Sequence, residues 1–324
     1  GEIDFLSEKI SVTNSNGVNA TDQNTAAYTT LTTIFELDKD VSGMWYDTSI
    51  FMKNLDSYKT GEISAEKAYS MRNSESVKSG AYPVIFGSTV VSELLHSRFE
   101  VSMGSIEVNA SPYTVDLLGK QIADEKLTIT DNGILEGAIG SKSVTDEGHP
   151  TQKTVLLDKG KLVNFLSNDY YKKKHAELES LQPTNGFRFG GGGRHYSSEP
   201  GISATNIEVM AGKMSDEELI KEVKNGLYIG RIWYTYPVNG LASSDFTSTV
   251  RGDSFLIENG EIKNAVTPNT LRLNENLNEL LIGITGIGKQ RKHCVSWGEE
   301  SVIVAPQISV KKARFQQIAV GLYS

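Results

Sequence analysis

The chain has 324 residues, 38% of them hydrophobic and 22% charged, with a formal net charge of −8. This balance is typical of a soluble globular protein and excludes a largely disordered one. The acidic excess argues against a broad nucleic-acid-binding face, because phosphate contacts need clustered Lys and Arg. The short basic runs at 172–174, 289–292 and 311–314 are typical of solvated helix ends and strand edges.

The sequence carries no membrane or secretion signal that we can identify. It has no apolar run of bilayer length, and its first residues, GEIDFLSEKI, have neither a basic region nor an apolar core. The single cysteine, Cys294, excludes an intrachain disulfide and a multi-cysteine zinc cage. A chain with one cysteine favours a reducing compartment, so we expect a cytoplasmic location.

The first hundred residues predict strands followed by two helices. A strand over 9–13 leads into a turn, and the polar and apolar alternation over 26–54 predicts an antiparallel meander. Ser64 is the predicted N-cap of a helix that runs to Lys78. A second helix is predicted over 89–101, where Val90, Leu94 and Leu95 form an apolar stripe.

The rest of the chain predicts hairpins with a few covering helices. Strands over 154–157 and 162–166 form one hairpin, and Asn259-Gly260 marks the type I′ turn of another. Ser215 and Glu218 form a capping box, and 274–284 predicts a last amphipathic helix. No linker or repeat divides the sequence, so we predict one α+β domain over 1–324 in which antiparallel strands predominate.

Four segments carry a resemblance to a known family. They are Thr145–His175, Gly186–Pro200, Arg251–Lys289 and Glu300–Val310, and in composition, order and spacing they resemble the TldD/PmbA family of peptide-processing proteins. The resemblance covers roughly two thirds of the chain or more. It implies the fold of the family's C-terminal-type domain, and we expect no counterpart here of the family's usual N-terminal α/β domain of about 100 residues. Family members also carry the label of DNA gyrase modulators, and the charges support no direct DNA contact.

The resemblance also shows which catalytic residues are missing. Catalytic members of the family present HExxxH on a helix, where two His and a later Cys hold zinc and the Glu acts as general base. Alignment places His96 on the first His, Ser97 on the Glu, Val101 on the second His and Ile287 on the Cys. Catalytic zinc needs three protein ligands and an open position for water. We therefore expect no metal and no cofactor.

Two other groups of residues could in principle bind a metal. Glu93, His96 and Glu100 are weak catalytic candidates, and they would hold zinc only if the chain is an enzyme with a divergent site. His293 and Cys294 are adjacent, and neighbouring residues on a strand point to opposite faces, which disfavours a shared metal. A lone histidine beside leucines is more often a hydrogen-bonded, partly buried residue than a ligand.

The family resemblance implies a substrate-facing, glycine-rich loop next to an acidic turn. The residues that it suggests for substrate binding are Glu147, Gly148, Gly192, Gly193, Arg194 and His195. Arg194 has the chemistry to hold a peptide carboxylate or carbonyl. The loop is equally well read as a flexible connection, and the acidic turn as a surface turn.

Loss of HExxxH is the feature that separates PmbA-type, also called TldE-type, members from TldD-type members. The resemblance therefore implies a non-catalytic subunit that frames or binds an unfolded peptide while a TldD-like zinc peptidase cleaves it. One alternative is a metallopeptidase in its own right with a divergent metal site. Another is a homodimeric peptide-binding scaffold. The expected partners are an unfolded peptide and a TldD-like subunit or a second copy, with no nucleic acid and no membrane.

Overall fold

The computed structural model describes residues 1–35, 41–100, 111–189, 193–240, 242–295 and 302–318, apart from the side chains of Arg98 and Glu100. The chain begins with an antiparallel sheet in the order β1-β2-β3, where β1 is Glu2–Thr13, β2 is Asn19–Phe35 and β3 is Val41–Ser49. Gly17, with a φ of 88°, completes the turn between β1 and β2. The predicted turn and meander are confirmed, and the strands are longer than predicted.

Helix α1 covers this sheet and begins earlier than the sequence suggested. It spans Ser57–Ser70, and the side chain of Asp56 caps it by accepting a hydrogen bond from the N–H of Lys59 at 2.8 Å. The prediction of Ser64 as the N-cap was wrong. Ser64 lies inside the helix, is buried, and donates from its hydroxyl to the carbonyl of Gly61. The Asp56 cap fixes the start of the helix, and Gly61 is tolerated within it.

A second, larger sheet contains most of the remaining strands. Its members are β4 (Ser74–Glu75), β5 (Gly80–Phe86), β6 (Ile129–Asn132), β7 (Lys153–Asp158), β8 (Lys161–Leu162), β11 (Asn206–Val209), β12 (Gly226–Ile229), β13 (Ile232–Pro237), β14 (Asp245–Val250), β15 (Ser254–Glu258), β16 (Glu261–Val266), β17 (Leu271–Asn276), β18 (Ile284–Cys294) and β19 (Val302–Gln317). Two short strands, β9 (Gly186–Phe187) and β10 (Gly201–Ile202), pair separately.

The long strand β19 organises this sheet by pairing with β5, β11, β17 and β18. The order β4-β16-β15-β12-β5-β19-β11-β6-β7-β8 gives the main path. Parallel pairing joins β5 to β12, β11 to β19 and β4 to β16, and the other pairs are antiparallel. The predicted α+β class with antiparallel predominance is confirmed, and the sheet is partly mixed.

In the described ranges, four further α-helices pack on or beside the sheets. They are α2 (Ser88–Leu94), α3 (Asp169–Lys174), α4 (Asp216–Val223) and α5 (Leu277–Ile282). A π-helical turn over Leu95–Glu100 continues α2, and its Phe99 is fully buried with Leu94 in the main core. Both hydrogen bonds of the predicted capping box are present at the start of α4. Within the described residues, no helix is long and apolar enough to cross a membrane.

The two predicted hairpin turns are present. Lys159 and Gly160 have φ values of 46° and 75°, and Asn259 and Gly260 have 54° and 76°, as a type I′ turn requires. The second strand of the first hairpin is shorter than predicted. Helix α5 also begins later than predicted, because 274–276 pair with β14 and Asn276 then caps the helix.

Candidate functional site

A cleft with two lobes runs beside the N-terminal sheet. The first, which we call the β3 lobe, has a volume of about 440 Å³ and is lined by Trp45–Ser49, Gly137, Lys292 and His293. Successive side chains of a strand point to opposite faces of the sheet, so a cleft on one face would contact only every second residue. A cleft that contacts five consecutive residues must therefore run along the edge of the strand. Strand β3 pairs with β2 on one edge, and no other strand of the described residues pairs with it. The β3 lobe therefore lies along an unpaired sheet edge.

The second lobe continues this edge along β2. It has a volume of about 460 Å³, includes Asp22–Thr25, Ile50 and Phe51, and is closed by Gly133–Ala138 and Ser141–Ser143. We call it the β2 lobe. Pairing between β2 and β3 ends at Ala27 and Ser49, which leaves 22–25 paired with β1 alone among the described strands. Gly137 lines both lobes.

Behind the β2 lobe, Arg194 is held by two buried carboxylates. Its guanidinium donates to Asp22 Oδ2 at 2.7 Å, to Asp146 Oδ1 at 3.0 Å and to the carbonyl of Val144 at 2.8 Å. Its side chain is 1% exposed. The guanidinium is thus engaged within the protein, and direct contact of Arg194 with a peptide stays a prediction. Asp22 in turn accepts hydrogen bonds from the N–H and hydroxyl of Ser143, which lines the lobe, so Arg194 positions the wall.

The main chain beside Arg194 is also tied to the N-terminal sheet. Glu8 accepts a hydrogen bond from the N–H of Arg194 at 2.9 Å, and its carboxylate lies 3.5 Å from the ammonium of Lys142. Both side chains of this pair are buried. Gly193 has a φ of 110°, and a Cβ there would meet Glu8 at 2.9 Å. Only glycine suits this close approach.

The predicted acidic turn lies against the start of α3. Glu147 accepts a hydrogen bond from the N–H of Asp169 at 2.9 Å, and burial raises the pKa of its carboxyl group. His149 Nε2 lies 3.3 Å from Asp169 Oδ1. Gly186 makes room for Glu147, since a Cβ at this glycine would lie 2.0 Å from Glu147 Oε2. These contacts describe a local anchor for the signature segment.

The remaining predicted substrate residues are not gathered into one site. Gly148 has a φ of 88° and approaches Val18, while His195 is exposed and stacks on Tyr196. Gly192 lies outside the described residues. For Glu147, Gly148, Gly192, Gly193 and His195, substrate contact stays a prediction.

A group of charged residues surrounds Trp45 in the β3 lobe. The ammonium of Lys292 lies 4.6 Å from the Trp45 ring centroid, and that of Lys67 lies 5.1 Å from it. Lys67 forms a very short ion pair with Asp253. Desolvation, followed by the positive charge of Lys67, lowers the pKa of Lys292. Such cation–π contacts hold a lysine in place over an indole.

The residues at the family's zinc positions do not fit a zinc ion. Ile287 is a hydrocarbon side chain that is 4% exposed in the core, and Ser97 donates its hydroxyl to the carbonyl of Glu93. Val101 and the side chain of Glu100 lie outside the described residues, and Glu93 and His96 are partly buried. Among the described residues, no group of three His, Cys, Asp or Glu is placed to hold a metal. The expectation that no zinc binds stays a prediction, and no chemical step is derived through one.

His293 and Cys294 do not share a site. His293 is exposed, whereas Cys294 is fully buried and hydrogen-bonds with Tyr46. Burial raises the pKa of the Cys294 thiol to about 11 and lowers the pKa of His293. Cys294 is a small buried core residue of the kind that the sequence favoured.

Residues 79–317 match the model of the PmbA/TldA metallopeptidase C-terminal domain. The chain belongs to the TldD/PmbA family. It is 28% identical over 245 residues to a metalloprotease TldD homologue of Buchnera aphidicola, which is 73% of this chain and 48% of that protein. It is 25% identical over 206 residues to metalloprotease PmbA of Escherichia coli O157:H7, covering 64% of this chain and 40% of that one. The chain thus spans about half the length of these curated relatives or less.

Two solved structures share the fold. A protein described as a modulator of a DNA gyrase from Thermotoga maritima is 27% identical, with a TM-score of 0.79 over 94% of this chain and 65% of that chain. TldE from Thermococcus kodakarensis has a TM-score of 0.80 over 93% of this chain and 65% of that chain. At 22% identity, the second likeness establishes the fold alone.

Sequence reasoning missed the residues that line the cleft. Asp22, Trp45 and Lys292 are far apart in the chain, and no local motif marks them. Lys292 belongs to a basic run that was interpreted as a solvated strand edge. The one relevant signal in the sequence is the alternation of polar and apolar residues over 26–54, which predicts strands whose edge could line a cleft.

Proposed function

We propose that this chain is a PmbA/TldE-like, non-catalytic subunit that binds an extended, unfolded peptide while a TldD-like zinc peptidase partner cleaves it. The observation that carries the proposal is the replacement of a zinc-ligand position by Ile287, a buried core residue. An isoleucine has no lone pair to offer a metal, and zinc peptidase chemistry requires three protein ligands and an activated water.

The cleft supports the peptide-binding half of the proposal. An extended peptide adds to an unpaired sheet edge through main-chain hydrogen bonds, which give affinity with little sequence preference. The edge along Trp45–Ser49 and Asp22–Thr25 opens into the two lobes. The proposal includes a cytoplasmic location, in keeping with a sole cysteine that is a buried free thiol.

Elemental analysis of the purified chain, with and without added zinc, tests the non-catalytic role. The proposal predicts no stoichiometric zinc in the parent chain or in His96→Ala, and His175→Ala serves as a matched histidine control. Peptide hydrolysis should appear only when a TldD-like chain is added. One zinc per chain that is lost in His96→Ala and kept in His175→Ala would instead establish the divergent metallopeptidase.

Size measurement with and without the TldD-like chain separates the proposal from a scaffold role. A heteromeric complex with peptidase activity is the expected result. A homodimer that binds peptide and ignores the TldD-like chain would establish the scaffold instead. Both measurements use the chain as purified and need no knowledge of the natural peptide.

A further inference from the structure

We propose that the β3 lobe contains a carboxylate-binding subsite in which Lys292 receives the free C-terminal carboxylate of the bound peptide. The inference rests on the proposed peptide-binding function and adds to it the class of peptide and its direction in the cleft. The ligand is therefore the end of an extended chain, with the preceding residues passing Gly137 into the β2 lobe.

Lys292 is fixed at one wall of the β3 lobe. Its main chain pairs with Ala305 in the ladder between β18 and β19. Its ammonium lies 4.6 Å from the centroid of the Trp45 ring, and both residues line the lobe. The backbone pairing and the cation–π contact together limit where the ammonium points. A positioned cation binds an anion at a smaller entropic cost than a mobile surface lysine does.

In the described part of the chain, the ammonium of Lys292 makes no ion pair, and the acidic groups Asp253 and Asp216 act on it only from a greater distance. The other lysine on Trp45, Lys67, is paired with Asp253. Asp47, which also lines the lobe, turns its two carboxylate oxygens to main-chain N–H groups, those of Thr48 at 2.9 Å and Asp56 at 3.0 Å. Among the described residues no carboxylate lies within ion-pair distance of Lys292. Desolvation and the nearby ammonium of Lys67 lower the pKa of Lys292 by more than Asp253 and Asp216 raise it, and a bound carboxylate would stabilise the charged form.

A sheet edge binds the main chain with little sequence preference, and the carboxylate that every peptide offers, whatever its sequence, is the one at its chain end. The β3 lobe, at about 440 Å³, is the size of a small-molecule pocket and has room for only a few residues of an extended chain. Gly137 lines both this lobe and the β2 lobe. A peptide that lies along the β3 edge with its chain end in the β3 lobe places its terminal carboxylate beside Lys292.

Fluorescence anisotropy with three labelled peptides tests the inference. The first is a short peptide of Ala, Ser, Thr and Val with a free C-terminal carboxylate, and the second is the same sequence as a C-terminal amide. The third is the amide with Glu as its last residue, which supplies a side-chain carboxylate. We expect the free acid to bind about 10-fold more tightly than either amide, the size of one charge-assisted contact.

Two variants assign the difference to Lys292. Lys292→Gln should bind the free acid and the amide equally, and Lys292→Arg should keep a preference for the acid. Lys289→Gln removes an exposed lysine of the same strand outside the lobe and should change nothing. Each side chain is on the surface side of β18, so the variants should fold.

Each other result overturns a defined part of the argument. Equal binding of acid and amide by the parent chain would overturn the subsite and leave peptide binding intact. Equal binding of the free acid and the Glu-bearing amide would show a general anion site and overturn the assignment to a chain end. If no peptide binds, the proposed function and the subsite fall together.

Discussion

Replacing Arg194 with leucine should lower the free energy of unfolding by about 4 kcal/mol, because it leaves two buried carboxylates without their counter-ion. The side chains of Arg194, Asp22 and Asp146 are 1%, 5% and 6% exposed. The loss removes hydrogen bonds to both carboxylates and to the carbonyl of Val144. Removal of one partner of a buried ion pair typically costs about 3–5 kcal/mol. That is a large share of the 5–15 kcal/mol by which folded proteins are typically stable.

Urea unfolding followed by tryptophan fluorescence measures this loss. Arg188→Leu is the matched control, since Arg188 is partly exposed and donates from its guanidinium to the carbonyl of Ser198. We expect a cost of about 1 kcal/mol there. Adding Asp22→Asn and Asp146→Asn to Arg194→Leu should recover roughly 2 kcal/mol, because the uncompensated charges disappear.

The same samples decide between a structural and a substrate-binding role for Arg194. An Arg194→Leu chain that unfolds within about 1 kcal/mol of the parent but no longer binds peptide would refute the structural reasoning. It would support the expectation of a direct contact with the substrate. Loss of stability with peptide binding retained at low temperature is the result expected from the ion pairs.

Three further predictions follow from local geometry. Gly61→Ala in α1, whose Cβ would meet only Leu31 at 3.6 Å, should raise the free energy of unfolding by about 0.5–1 kcal/mol. Gly43→Ala, whose Cβ would lie 2.3 Å from the main chain of α1, should lower it by about 2 kcal/mol or more. Urea unfolding distinguishes the two variants, and equal effects would contradict the packing of α1 on β3. Ser215→Ala removes the cap of α4 and should cost about 1 kcal/mol in the same assay, with the exposed Ser197→Ala expected to cost less than about 0.5 kcal/mol. Cys294, fully buried with a pKa raised to about 11, should react with a thiol reagent at pH 8 far more slowly in the folded chain than in urea, and equal rates would show that the thiol is accessible.

Local signals explain which parts of the fold could be predicted. The two type I′ turns and the capping box are set by neighbouring residues, so sequence alone located them. The start of α1 could not be placed in this way, because Asp56 and Ser64 are both good caps and the contact of α1 with Gly43 of β3 is a tertiary one. The parallel pairing of β11 with β19 joins residues nearly a hundred positions apart, and strand patterns do not encode such partners.

In the candidate site, too, features set by neighbouring residues could be predicted from the sequence, and features set by tertiary contacts could not. The family motif located Arg194 and Glu147, but it could not show that carboxylates of β1 and β2 would hold this loop. The cleft depends on where β3 stops along β2, which is a property of the register and not of any single residue. Lys292 acquires its setting from Trp45, 247 positions earlier, and thus looked like an ordinary surface lysine in the sequence.

Isoleucine at position 287 and the cleft beside the N-terminal sheet are physically compatible. A cysteine ligand without its metal would leave a polar, oxidisable group in the core, whereas Ile287 packs there as an ordinary hydrophobic residue. Burial of such a side chain stabilises a fold by about 1.5–3 kcal/mol without any ion. The cleft is built from strand edges and from ion pairs such as that between Arg194 and Asp22, none of which needs the metal. Under the proposed function, catalysis and peptide binding depend on separate parts of this fold, so that one could be lost while the other is retained.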